Sequence, residues 1–157
     1  MRIMGKIKAF QYRVFILSAF LWLAIDLAVK NYFARPDIGN IVVIKNFFYL
    51  APQTNKGVAF GIHFGYVFQL IASASILGLL IYFGFKYLLP IKRNSFLNQF
   101  LLGIIIGGAL GNLINRIQLG YVIDYINLRP FPVFNIADIG ITIGLIVLFL
   151  LTYNNKN

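Results

Sequence analysis

Glutamate and cysteine are absent from this 157-residue chain, histidine occurs once, at His63, and the acidic side chains number four, all aspartates. Without cysteine there is no disulfide, no thiolate nucleophile and no thiolate metal site. A single histidine argues against a histidine-rich metal centre and against a Ser-His-Asp triad. Ser18, Ser73, Ser75 and Ser95 have no base near them in the sequence, and neither a G-x-S-x-G elbow nor an H-E-x-x-H pair occurs. Charge of either sign is scarce as well: 11% of residues are charged, against about a quarter in an ordinary soluble domain. The net charge of +10 is spread along the chain rather than gathered on one face. Nucleic acid is therefore not an expected partner.

What the chain has in quantity is apolar surface. Hydrophobic residues make up 60% and aromatics 17%, with a mean hydropathy of +0.81. Four apolar stretches reach spanning length, roughly 20 residues each: about 14–33, 66–89, 96–117 and 135–153. Arg2, Lys6, Lys8 and Arg13 precede the first, Lys86, Lys92 and Arg93 cluster around the turn after the second, and Lys156 follows the fourth. An even number of spans puts these clusters on one side, cytoplasmic by the positive-inside rule, with both termini there. The basic start resembles a signal peptide, but its run is long, carries Asp26 and Lys30, and lacks a small-residue cleavage site, so a retained first span is expected. The expected architecture is a single all-α integral membrane domain, residues 1–157. Loops 34–65 and 118–134 face outward. The first of these holds an Ile-, Val-, Phe- and Tyr-rich stretch from Asn40 to Leu50, bounded by Gly39 and Pro52, which predicts one or two strands of a small extracytoplasmic sheet.

The few polar residues within or beside these spans fall into patterns. Asp26 and Lys30 are four apart on one helical face, the spacing and order of an ion pair. Gly103, Gly107 and Gly111 repeat at intervals that let helix backbones approach closely. One turn further, Asn112, Asn115 and Arg116 form a polar patch. Asp124 and Asp138 flank a short outward loop. Asn135 is a good N-cap for the fourth span and places Asp138 at N3, an acidic capping box. A helix N-terminus favours an ionised carboxylate. Two facing carboxyls cannot both ionise easily, so Asp138 is expected to hold the charge and Asp124 the proton. Such a pair can activate water against a peptide bond.

These residues, taken together, resemble lipoprotein signal peptidase (signal peptidase II), the bacterial membrane aspartyl protease, over nearly the whole chain. Asp26-x-x-x-Lys30 matches the family's first motif, Asn55-Lys56-Gly57-Val58-Ala59-Phe60-Gly61 its second, and Gly107-Gly108-Ala109-Leu110-Gly111-Asn112 leading to Arg116 its third. Val122-Ile123-Asp124-Tyr125 and Phe134-Asn135-Ile136-Ala137-Asp138 match the two aspartate motifs. The resemblance implies cleavage of a prolipoprotein signal peptide before a diacylglyceryl-modified cysteine, at the extracytoplasmic face of the bacterial plasma membrane. It further implies Asp124 and Asp138 as catalytic dyad, no metal or cofactor, and membrane lipid around a monomer. Asn55, Gly57, Ala59, Asn112, Arg116, Asn135 and Ala137 fall on positions that line the site and hold substrate, while Asp26, Lys30 and Gly108 support it. One position departs: Asn115 stands where the family's third motif usually has aspartate, so a charged Asp–Arg pair is lost. Two other readings of the acids are a proton-coupled small transporter and a catalytically silent binder of lipoprotein precursors.

Overall fold

A computed structural model describes residues 2–57, 65–88 and 96–154. Four helices are long and apolar enough to cross a membrane: α1 (Arg2–Phe33), α2 (Tyr66–Phe83, continued by a π-helical turn at Gly84–Leu88), α3 (Phe96–Leu119) and α4 (Ile136–Asn154). The chain is an integral membrane protein, with each helix where an apolar stretch predicts it. α1 begins earlier than its apolar part, which starts at Arg13.

α3 is the axis of the bundle. Its spanning window is 61% buried, whereas those of the other three are 17–22% buried and so turn most of their surface outward. Glycine spacing explains the close approach of α1. A methyl group on Gly103 would strike Ser18, one on Gly107 would meet Ala19 and Trp22, and one on Gly111 would strike the Asp26 carboxylate. Gly108 faces the other way, onto the Ala137 backbone of α4. In a bilayer, where apolar side chains gain little by leaving lipid, such backbone proximity supplies the packing. Gly111→Ala should therefore force α1 and α3 apart at their charged contact. The expected cost is about 1–3 kcal/mol of stability, measured by thermal unfolding in detergent.

The sheet differs from expectation in one respect. β1 (Ile41–Ile44) and β2 (Phe48–Asn55) are the two strands of the loop after α1, the second running beyond the expected Asn40–Leu50 stretch; the hairpin turns at Asn46 with φ 66°, a conformation asparagine tolerates. A further strand, β3 (Val122–Leu128), comes from the loop before α4 and pairs antiparallel with β2, giving the order β1-β2-β3. The segment 118–134 is thus not merely a connection. β3 reads as a strand only once its partner, far upstream in the chain, is in place.

Two local features aim β3. Gly120, with φ +82°, donates its N–H to the Arg116 carbonyl at 3.0 Å, an ending that closes α3 and turns the chain sharply. Phe33 of α1 then stacks on Tyr125 with ring centroids 4.4 Å apart and 11° between planes. Phe33, Ile123 and Tyr125 form a small buried cluster that fastens the sheet to the end of the bundle.

Candidate active site

The site is assembled around the first turn of α4, whose free N–H groups all find acceptors. Asn135 caps the helix: its Oδ1 accepts from the Asp138 N–H at 3.1 Å, and its own N–H is donated to Asp138 Oδ2 at 3.1 Å. This is the reciprocal capping box the sequence predicts. The Ile136 N–H is donated to the Tyr125 hydroxyl at 3.3 Å and the Ala137 N–H to Asp26 Oδ1 at 3.1 Å. Three separate elements, α1, β3 and α4 itself, thereby fix one helix terminus.

Asn135 is also the bridge between the two aspartates. While its backbone N–H serves Asp138, its Nδ2 is donated to Asp124 Oδ1 at 2.6 Å. Asp124 Oδ2 accepts from Asn55 Nδ2 at 2.8 Å, and Asn55 is held in that orientation because its Oδ1 accepts the Gly57 N–H at 2.8 Å. Asp124 is 2% exposed and Asn135 0%. Burial, reinforced by the negative charge of Asp138, pushes the Asp124 carboxyl up to about 6, against the opposing hydrogen bonds from Asn55 and Asn135. Burial likewise pushes the Tyr125 phenol up to about 12, so it stays neutral. A carboxyl raised to about 6 keeps its proton into mildly acidic solution, well above the usual carboxylate range, and can serve there as an acid.

Behind the dyad lies the buried ion pair. Lys30 Nζ is 2.7 Å from Asp26 Oδ2, both side chains are 0% exposed, and the ammonium also donates to Asn112 Oδ1 at 2.6 Å. Asn112 Nδ2 is in turn donated to Asp138 Oδ1 at 2.8 Å. Asp37 plays no part here; it pairs with Arg35 on the surface at 3.1 and 2.6 Å, an exposed contact that contributes little.

Arg116 donates to the Gly57 carbonyl at 3.1 Å and reaches the Asn112 carbonyl at 3.5 Å, while its buried Nε has no partner. Among the described residues no carboxylate lies within ion-pair distance of it. Asn115 Oδ1 accepts from the Ile123 N–H at 3.3 Å, tying β3 to the end of α3. Asn115→Asp would keep that acceptor and set a charge next to Arg116. We expect it to raise stability by about 1 kcal/mol, the difference between a neutral and a charge-assisted bond, read as a higher unfolding temperature.

Residues 18–154 match the family model described as signal peptidase (SPase) II. The chain belongs to the signal peptidase II family. It is 38% identical to the lipoprotein signal peptidase of Moorella thermoacetica over 137 residues, 85% of this chain and 89% of that protein. With the lipoprotein signal peptidase of Halothermothrix orenii it shares 44% identity over 119 residues, 74% of this chain and 78% of the other. A bacterial membrane enzyme solved by the in meso method at 2.3 Å resolution superposes with a TM-score of 0.77 at 30% identity, covering 91% of this chain and 89% of that one. A second, solved by the same method at 1.9 Å, gives 0.72 at 31% identity, covering 88% and 91%.

In this chain, most of the residues singled out from sequence meet in one hydrogen-bonded cluster. Asp26, Lys30, Asn55, Gly57, Asn112, Arg116, Asn135 and Asp138 connect to Asp124 directly or through one another. Ala137 is fully buried and takes part through its backbone N–H, already donated to Asp26. Gly108 packs against it. Ala59 lies outside the described residues. Among the described residues no three His, Cys, Asp or Glu side chains gather as a metal site.

Two contributors escape sequence reasoning. Tyr125 looks like another apolar strand residue, but its hydroxyl accepts the Ile136 N–H at the start of α4. Gln69, buried near the start of α2, donates to the Lys56 carbonyl and so holds the Asn55–Gly57 segment. A lone amide in an otherwise apolar span was the available signal.

Proposed function

We propose that this chain is an aspartic endopeptidase that removes the signal peptide of prolipoproteins by cutting before a diacylglyceryl-modified cysteine. The observation that carries the aspartic chemistry is the single residue Asn135 donating to both carboxylates from the capped start of α4. Family membership supports the peptidase activity and the prolipoprotein substrate, and it lends no support to a transporter or a silent binder.

In this reading Asp138 is the ionised base and Asp124 the acid. Asp138 takes a proton from water as the oxygen attacks the scissile carbonyl carbon, and Asp124 gives its proton to the carbonyl oxygen. The tetrahedral diol then collapses: Asp138 returns its proton to the leaving nitrogen, and Asp124 recovers one from the diol hydroxyl. Protons balance over the cycle and both carboxyls regain their starting states. Asn55 and Asn112 each hold one oxygen of the pair, Asp124 Oδ2 and Asp138 Oδ1, and Asn135 donates to the other two. Arg116, with an unused N–H, and the Asn55–Gly57 segment line the approach.

The basic clusters argue for a bacterial plasma membrane with the sheet and dyad at the extracytoplasmic face. The bilayer there delivers both the signal helix and the acyl chains. Only a short extended segment then remains to be fixed beside the water, which is where proximity aids the chemistry. We assign the functional unit as a monomer. The test is incubation of purified protein with a diacylglyceryl-modified precursor peptide and its unmodified counterpart. Cleavage before the cysteine of the modified peptide alone is the expected result; cleavage elsewhere, or none, refutes the assignment.

A further inference from the structure

The donor direction at Asp138 is set by two N–H groups that meet at Asn112 Oδ1, from Lys30 at 2.6 Å and from Asn135 Nδ2 at 3.2 Å. Lys30 has only N–H donors to offer, so the Asn112 atom 2.6 Å from its ammonium must be the oxygen. The Asn112 amide is then unable to turn over, and its NH2 must face Asp138 Oδ1, 2.8 Å away. That carboxylate oxygen is thereby compelled to accept. The other, Oδ2, is compelled to accept as well, because it faces the backbone N–H of Asn135 at 3.1 Å. Neither oxygen of Asp138 can turn a proton towards these partners.

Asp26 completes the arrangement from the other end. It accepts from Lys30 through Oδ2 and from the Ala137 N–H of α4 through Oδ1. The ammonium is held on the axis between α1 and the catalytic helix, with no exposure to water. An ion pair kept fully buried is weak support for stability as such, because apolar residues of similar volume can serve as well. Its retention at this place calls for another contribution.

We propose that Lys30 is a positioning residue of the reaction: acting through Asn112, it keeps an N–H directed at Asp138 and so favours the ionised form of that carboxylate at the start of each cycle. The proposal rests on the aspartic dyad reading and goes beyond the view of Asp26 and Lys30 as a tolerated charge pair. The charged and titratable groups facing Asp138 are Asp26 and Lys30 from α1, Arg116 from α3, and Asp124 and Tyr125 from β3. Of these, Lys30 alone reaches Asp138 through an amide that it locks.

The test replaces the pair as a unit, so that no buried charge is left alone. Asp26→Asn combined with Lys30→Met removes both charges and every N–H that Asn112 receives from α1. Asn112 Oδ1 then keeps only the longer bond from Asn135 Nδ2 at 3.2 Å, and the amide can turn its oxygen to Asp138 more readily. In a pH profile of kcat/KM on the diacylglyceryl-modified precursor, the acid limb is expected to move up by about one pH unit. In the same measurements kcat should fall by about tenfold while KM stays within about twofold, the signature of a role in the chemical step. Asp26→Asn combined with Lys30→Gln restores an N–H donor without the charge and should bring the acid limb back towards the parent.

Profiles of both double variants that superpose on the parent overturn the proposal. So do equal shifts in the Met and Gln variants, which would make charge alone responsible. If the Met variant does not extract as a folded protein, Asn112→Ala removes the N–H at Asp138 with the ion pair intact and adds no charge. The acid limb must then rise, and an unshifted limb overturns the proposal. Failure of the dyad reading is distinguishable, since it shows as cleavage that persists in Asp124→Asn or Asp138→Asn with Lys30 untouched.

Discussion

Asp124→Asn and Asp138→Asn should each lower turnover on a diacylglyceryl-modified precursor by about a thousandfold or more, near the upper end of the usual contribution of a positioned acid or base. The two variants should nonetheless differ in stability. At position 138 an asparagine can still accept the Asn135 N–H with its oxygen, but its NH2 then faces Asn112 Nδ2, which Lys30 prevents from turning. Two donors in contact within a buried site cost about 1–3 kcal/mol. At position 124 both partners are side-chain amides, from Asn55 and Asn135, and Asn55 can turn at the cost of one neutral bond, from the Gly57 N–H. Asp138→Asn should therefore melt at the lower temperature of the two. Thermal unfolding in detergent, run beside the cleavage assay, checks this; retained cleavage in either variant removes that aspartate from the mechanism.

Asn135 offers the second large effect, because two substitutions separate its two roles. Asn135→Ala deletes both the cap acceptor for the Asp138 N–H and the amide donor to Asp124. About 1 kcal/mol of stability should go with the cap, and turnover should fall by about a hundredfold or more as the dyad loses its bridge. Asn135→Ser keeps a cap acceptor and loses only the donor. The sign of the resulting pH effect follows from the chemistry. The Asn135 hydrogen bond holds the Asp124 carboxyl below where burial and the Asp138 charge would otherwise place it, and it already lies at about 6. Without that donor Asp124 retains its proton to higher pH. Since Asp124 is the acid in the proposed cycle, activity lost as pH rises through its titration should persist further, and the alkaline limb should move up. An alkaline limb in Asn135→Ser identical to the parent would show that Asp124 is not the group reporting there.

The parts of this site that were legible in the sequence are those closed by local spacing. Asn135 and Asp138 are three apart at the start of an apolar run, and Asp26 and Lys30 four apart within one, so cap and ion pair follow from helical geometry. The glycines of α3 announce close packing without naming the partner. What escaped was what distant segments do to one another. β3 contains Val, Ile, Tyr and Leu in a stretch bounded by Gly120 and Pro130, yet its strand character depends on β2, and the registers Gln53↔Asp124 and Asn55↔Val122 are set only on pairing. The hydroxyl of Tyr125 and the amide of Gln69 are likewise invisible as site components until α4 and the Lys56 carbonyl are brought to them. At Asn115, where the sequence shows the loss of a charged pair with Arg116, the side-chain oxygen accepts from the backbone of β3.

The contact between Asp26 and the Ala137 N–H spans 111 residues of sequence, and that between Asn55 and Asp124 spans 69. No subset of the helices holds the dyad: α1 supplies the charge pair, β2 the amide for Asp124, α3 the amide for Asp138, and the last helix one of the two acids. If the proposed dyad is the catalytic centre, a chain still leaving the ribosome has no complete centre before its final span enters the bilayer. Long-range closure of this kind is slow to form. On the proposed mechanism, cleavage would then report that every span is in place.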